Sequence, residues 1–270
     1  MRWLVLLFLT ALQLTGADGK TWALLVGISK YQKLPHDLWL QYPDIDASAF
    51  EKFLASGKGG AVPESQIMLL TNDQATTSAV RSGLHQFLRE KPGRNDTVYV
   101  LVAGHGTVDD TGAYILTYDS DPDNLKGTAL PMSELHTVVE QELNHAGRVI
   151  LLADVCRAAS IAGQKTTAVG AAVIGIEAPG EMLGLMAARP KELSMEGPDF
   201  GGGHGAFTWA VLEGLRGAAD QDHDGFVTAG ELIDYVTTGV PKLTGNRQHP
   251  RDFGNMDNAV KLSDLSKPGL

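Results

Sequence analysis

Val149-Ile-Leu-Leu-Ala-Asp-Val-Cys156 is an unbroken aliphatic run that ends in an acid and then in the only cysteine of the chain. A run of this kind, without polar alternation, predicts a strand buried on both faces of a parallel sheet. Asp96-Thr-Val-Tyr-Val-Leu-Val-Ala103 repeats the design and leads into Gly104-His105-Gly106. Open α/β sheets carry their chemistry in the crevice beyond the carboxyl ends of the strands. A thiol and an imidazole, each just past such an end, meet on one rim if the two strands are parallel and close. A nucleophilic cysteine and its base require that pairing.

The flanking sequence fits the same architecture. Trp22–Ile28, Ile67–Leu70 and Met182–Ala187 read as further strands. A helix is expected over Asp44–Leu54, with Ala47, Phe50, Phe53 and Leu54 on one face and an aspartate near its start as cap. Thr76 or Thr77 is placed to cap a second, which shows Val80, Leu84, Phe87 and Leu88 on one face and stops at Pro92-Gly93. Ser133 is placed to cap a third, running from Glu134 to about Gly147. Phe207–Leu215 predicts a fourth, and Glu231 opens a fifth that Gly239 and Pro241 should stop. Tyr114–Thr117 suggests a hairpin arm, Ala158–Pro179 a long loop, and the segment from Thr244 an irregular polar tail. Strands alternating with helices give an α/β class with a mainly parallel sheet flanked by helices.

At 270 residues and 43% hydrophobic content the chain can bury one large α/β core. A formal charge of −10 and the lack of a long basic run argue against nucleic-acid and anionic-membrane partners. Met1-Arg2, the short apolar run Trp3–Leu14 and the small residues Thr15-Gly16-Ala17 read as a secretory signal peptide over 1–17. The mature chain, 18–270, would then be exported, periplasmic or secreted, with no membrane span. A single Cys closes no internal disulfide, so its thiol is either a small core group or a reactive one.

With these motifs in place, the chain resembles the caspase-like cysteine peptidases, closest to their metacaspase and bacterial branch. Caspases carry a histidine about 50 residues before the cysteine; here His105 precedes Cys156 by 51. Ala23-Leu-Leu-Val-Gly-Ile-Ser-Lys-Tyr31, Asp46-Ala47 and Gly205-Ala-Phe-Thr-Trp-Ala-Val-Leu-Glu-Gly-Leu215 carry the likeness across nearly the whole mature chain. It implies a three-layer caspase-like fold and a cysteine endopeptidase acting on peptide or protein substrates. Cys156 would be the nucleophile, His105 the base, and the Gly106 and Cys156 amides the oxyanion hole. No third member of a triad is evident from the sequence. Strand alternation puts Asp154 on the same face as Cys156, and an acid there suits a pocket for Arg or Lys. In the branch resembled, the matching aspartate does this, with Asp46 as a second pocket acid. His204, in a second Gly-His-Gly, precedes a helix rather than ending a strand and is the weaker candidate base. Arg157-Ala158-Ala159 departs from the His-Ser-Gly of many relatives. That departure leaves room for an inactive peptide- or partner-binding scaffold. Lys165 is a candidate self-cleavage point.

Asp220-Gln-Asp222-His-Asp224-Gly225-Phe226-Val-Thr228-Ala-Gly-Glu231 matches an EF-hand loop. Acids stand at positions 1, 3, 5 and 12 and glycine at position 6, with the Phe226 carbonyl and Thr228 at positions 7 and 9. The expected ligand is Ca2+, as a structural or regulatory ion. A calcium-dependent interaction module is therefore a third reading of the chain.

Overall fold

A computed structural model describes residues 19–157, 180–189 and 192–269, but not the side chains of Cys156 and Arg157. The expected signal peptide, the long loop with Lys165, and Ala158-Ala159 lie outside the described residues. Among the described residues the central sheet has eight strands. β1 (Thr21–Gly27), β2 (Ile67–Thr71), β3 (Thr97–Val108), β6 (Arg148–Arg157) and β7 (Glu181–Met186) run parallel in the order β7-β6-β3-β1-β2. β4 (Ala113–Ile115) and β5 (Leu130–Pro131) extend β3 as an antiparallel arm. The chain order reverses between β1 and β3, so the crevice of such a sheet lies there.

Alternation along the strands supplies two cores. Leu24, Val26, Val100, Val102, Leu151 and Ala153 face one side. They meet α2 (Thr77–Ser82, continued by a π-helical turn to Leu88) and, after the short α3 (Leu125–Thr128), α4 (Met132–Thr137). Ala23, Leu25, Leu101, Ile150 and Leu152 face the other side, against α1 (Pro43–Ala55), α5 (Ala206–Glu213) and α6 (Ala229–Leu243). Helices therefore cover both faces, which is why the strands read as continuous apolar runs. The fold is a three-layer α/β sandwich of the caspase-like kind. Among the described residues no helix is long and apolar enough to cross a membrane.

Several boundaries differ from expectation. β3 does not end at Ala103, its last partner on β1, but continues through Gly104-His105-Gly106 to Val108. It does so because β6 and β4 go on pairing with it. Thr76 caps α2 through the Ala79 amide. Ser133 caps nothing, since α4 already begins at Met132 behind Pro131. No aspartate caps α1: Tyr42 is its N-cap residue and Pro43 opens it. Pro241 does not stop α6, which runs on to Leu243. A proline in the last turn removes a single helical hydrogen bond, and buried Val236 and Val240 hold the turn in place. The polar tail also holds two strands. β11 (Arg251–Gly254) adds antiparallel to β7, and β12 (Lys261–Asp264) pairs with β10 (Phe226–Thr228). Gly184 of β7 makes room for β11, because a Cβ there would meet the Phe253 ring at 2.2 Å.

Candidate active site

His105 and Cys156 are register partners on the parallel neighbours β3 and β6. The two motifs chosen from the sequence are thus brought side by side at the carboxyl end of the sheet. His105 is 7% exposed. Its backbone N–H donates to the Tyr31 hydroxyl at 2.8 Å, and Tyr31 donates to the Ile28 carbonyl at 3.0 Å. The Tyr31 ring stacks on the imidazole, centroids 5.2 Å apart. Gly104 makes this possible, since a Cβ there would lie 2.9 Å from the Tyr31 hydroxyl.

The imidazole has one orienting partner, the Leu38 carbonyl oxygen, 2.6 Å from Nε2. A carbonyl only accepts, so Nε2 holds the proton and, in the neutral ring, Nδ1 presents its lone pair. Nδ1 is buried and has no hydrogen-bond partner among the described residues. Burial lowers the pKa of His105, and the Leu38 bond opposes this only in part. The result is an imidazole biased toward its neutral form, with an acceptor that has no partner among the described residues, on the strand next to the cysteine. The Leu38 carbonyl thereby orients the imidazole, a contact that the sequence did not reveal. A backbone carbonyl leaves no residue-type signal, and only the fold shows that the loop after β1 reaches β3 at the crevice.

Asp154, in register with Ala103, is 5% exposed. Its Oδ1 accepts from the Ser194 hydroxyl at 2.6 Å and its Oδ2 from the Thr208 hydroxyl at 2.7 Å. Asp46, on the first turn of α1, accepts from the Gly205 amide at 3.0 Å and contacts His204 Nδ1 at 2.6 Å. A Cβ on Gly205 would sit 2.8 Å from Asp154 Oδ2 and 3.1 Å from Asp46 Oδ2, so the two carboxylates converge on that glycine. Burial raises the Asp46 pKa to about 6, with the Asp154 charge adding to it and the His204 and Gly205 bonds opposing it. Burial raises Asp154 as well, against the bonds from Ser194 and Thr208. Glu196, on the two-residue strand β8 (Glu196–Gly197), is a third acid whose pKa burial raises; it accepts from the Gln41 and Tyr42 amides at 2.9 and 3.2 Å. β8 pairs with β9 (His204–Gly205). His204 stacks on Trp209 and serves the acid cluster; it is not beside Cys156 in the sheet. Among the described residues, no lysine or arginine forms an ion pair with Asp46 or Asp154. Gly106, the other expected oxyanion donor, lies in β3 in register with Arg157 and Ile115.

In the candidate calcium loop, Asp220, Asp222 and Asp224 place carboxylate oxygens within 4.8 Å of one another. Asp220 Oδ1 is buried without a hydrogen-bond partner among the described residues. Gly225 takes φ 89°, the left-handed turn that position 6 requires. Glu231 and Thr228 form a reciprocal capping box at the start of α6, and Glu231 also accepts from the Gln221 amide at 2.9 Å. Phe226 opens β10, with Lys261 Nζ over its ring.

A buried, oriented imidazole beside a cysteine at the carboxyl end of a three-layer sheet is the arrangement expected of caspase-like proteins. The caspase-domain family model matches residues 20–257, and the chain belongs to that family. It is 24% identical over 273 residues to a protein named a probable protease from a Desulfuromonadales bacterium. The match takes in 87% of this chain but 32% of that relative, so the chain spans about a third of the relative's length. Protein GSU0716 from Geobacter sulfurreducens, known from a crystal structure, shares the fold with a TM-score of 0.60 at 18% identity. That likeness covers 93% of this chain and 99% of that one.

Proposed function

We propose that the chain is an exported cysteine endopeptidase that cuts peptide bonds after Arg or Lys. The observation that carries the reading is the buried Nδ1 of His105, without a hydrogen-bond partner among the described residues, on the strand beside Cys156. In this mechanism His105 Nδ1 takes the Cys156 thiol proton while its Nε2–H stays on the Leu38 carbonyl. The thiolate attacks the scissile carbonyl carbon, and the Gly106 and Cys156 amides hold the resulting oxyanion. The C–N bond then breaks, the imidazolium passes its proton to the leaving amine, and water hydrolyses the thioester. Basic selection rests on the Asp46–Asp154 pair, a buried negative site with no lysine or arginine of its own among the described residues. A guanidinium or ammonium is the group such a site lacks.

The test uses fluorogenic peptides ending in Arg, Lys, Leu or Asp, with iodoacetamide labelling of Cys156 in parallel. Cleavage after Arg and Lys, lost in Cys156→Ala, with labelling slowed in His105→Ala, is the expected outcome. An unreactive thiol would leave a binding scaffold instead. Faster cleavage after Asp than after Arg would remove the basic-pocket reading. Export rests on the segment 1–17 and is tested by the N-terminus of the mature protein.

We also propose that Asp220–Glu231 holds Ca2+. The donor set fits a hard cation, with grouped carboxylate oxygens and one buried oxygen left without a partner among the described residues. Asp220, Asp222, Asp224, the Phe226 carbonyl, Thr228 and Glu231 are the residues that would hold it. Calcium should raise the melting temperature, and Asp222→Ala should abolish that gain. Equal melting with calcium and with chelator would reject the site.

A further inference from the structure

Gln248 is fully buried, 92 residues beyond Cys156 in sequence, and reaches the acid pocket through Ser194. Its orientation follows from two backbone groups. Oε1 must be the atom that accepts from the Met195 amide at 2.8 Å, and Nε2 the one that donates to the Ala187 carbonyl at 2.9 Å. The amide therefore cannot be flipped. Its remaining N–H donates to the Ser194 hydroxyl at 3.1 Å, which turns the Ser194 proton toward Asp154 Oδ1 at 2.6 Å. Each donor in this chain strengthens the next. Ser194, at 8% exposed, and Gln248 bring solvent no closer to the carboxylate. The Gln248 backbone N–H donates to Thr244 Oγ1 at 3.2 Å, just beyond the end of α6.

We propose that Gln248 is a positioning residue for substrate selection. Acting through Ser194, it fixes the orientation of Asp154 so that the carboxylate can receive a basic side chain. This rests on the basic-pocket reading above. Gln248 touches neither the substrate nor the reacting atoms, so its loss should appear in KM for basic substrates and spare the dyad.

The experiment compares Gln248→Met, Ser194→Ala and the double variant with the wild-type chain. Readouts are KM and kcat for matched peptides ending in Arg or Leu, iodoacetamide labelling of Cys156, and melting temperature. Ser194→Ala, which removes a hydrogen bond to a charged group, should raise KM for the Arg peptide about tenfold, and Gln248→Met, which removes a neutral bond to Ser194, should raise it by about three- to fivefold. Labelling, and turnover of the Leu peptide, should change less than twofold. The double variant should lose no more than the worse single, because both act along one path. If Gln248→Met does not fold, Ser194→Ala alone carries the same expectation. A parallel fall in both peptides and in labelling, or an unchanged KM for the Arg peptide in Ser194→Ala, would overturn the proposal. If the wild type shows no preference for Arg over Leu, the pocket reading falls and takes this inference with it. If that preference survives both single variants, only the role of Gln248 is lost.

Discussion

Gly205→Ala adds one methyl group between the two pocket acids. The backbone there, φ −68° and ψ 137°, accepts alanine without strain, so the effect comes from contact alone. The new Cβ would stand 2.8 Å from Asp154 Oδ2 and 3.1 Å from Asp46 Oδ2, where ordinary contact is 3.4–4 Å. Both carboxylates must retreat. Asp154 Oδ2 is held by Thr208 at 2.7 Å and Asp46 Oδ2 by the Gly205 amide at 3.0 Å, so at least one of these bonds stretches or breaks. A hydrogen bond to a charged group is worth about 1.5–3 kcal/mol, which corresponds to roughly 10- to 100-fold in binding. Removing the glycine restricts the unfolded chain and returns about 0.4–1 kcal/mol, so the melting temperature should fall by only a few degrees, roughly 2–6 °C. The assay is kcat/KM on Arg- and Leu-ending peptides, with Cys156 alkylation as the control for the dyad. The Arg peptide should lose the stated factor while the Leu peptide and alkylation hold steady. Full Arg selectivity in Gly205→Ala would mean that basic residues bind elsewhere. Uniform loss of every readout would mean that the glycine serves the fold rather than the pocket.

Three further outcomes follow from the same contacts. Asp46 has its pKa raised by burial to about 6, above the unfolded value of 3.8. The native state therefore holds that proton more tightly, and stability should fall by up to about 3 kcal/mol as pH rises from 4 to above 6. Urea midpoints of wild type and Asp46→Asn across that range would show it, and parallel curves would contradict it. His85 has both ring nitrogens on carboxylates, Glu142 at 2.9 Å and Glu134 at 3.0 Å. Burial pulls its pKa down, but the two acids raise it overall. The stabilisation is complete below the ordinary histidine value and is lost as pH rises through the raised one, so the stability gap between wild type and His85→Gln should be wide at pH 6 and close by pH 9; a constant gap would count against it. Tyr31→Phe keeps the ring against His105 but leaves the buried His105 N–H unpaired. That should cost about 1–3 kcal/mol in unfolding free energy and slow Cys156 labelling, whereas a neutral result would show that the hydroxyl is dispensable.

Much of the fold was legible because burial on both faces leaves a plain trace in sequence. Val98–Ala103 and Val149–Ala153 are apolar on both faces, and both faces are covered. The side-by-side placement of His105 and Cys156 followed from one assumption, that the two runs are parallel neighbours. Other features left weaker traces. β11 carries a single apolar residue, Phe253, and its pairing depends on a glycine some seventy residues away in β7. The extension of β3 through His105 is set by its neighbours, not by propensity, since Gly-His-Gly favours no strand. Leu38 acts through its carbonyl, and Ser194 and Gln248 are ordinary polar residues in irregular segments until the fold brings them under Asp154.

Two acid clusters in this molecule are finished in opposite ways. Glu134 and Glu142 sit among helices on one side of the sheet, where Arg81 forks onto Glu134 and His85 bridges both. That cluster has an arginine of its own on Glu134, although Glu142 Oε2 is left without a hydrogen-bond partner among the described residues. Asp46, Asp154 and Glu196 on the other side are more deeply buried, and their donors are hydroxyls, amides and His204. Hydroxyls and amides satisfy hydrogen bonding but bring no net charge, so the raised pKa of each acid records an electrostatic cost that the fold leaves standing. A chain able to neutralise one cluster with arginine had the means to neutralise the other. Strain of this sort persists where it serves a site. A substrate cation entering beside Cys156 would complete the second cluster much as Arg81 completes the first, and the energy released would fall on the residue just before the bond to be cut.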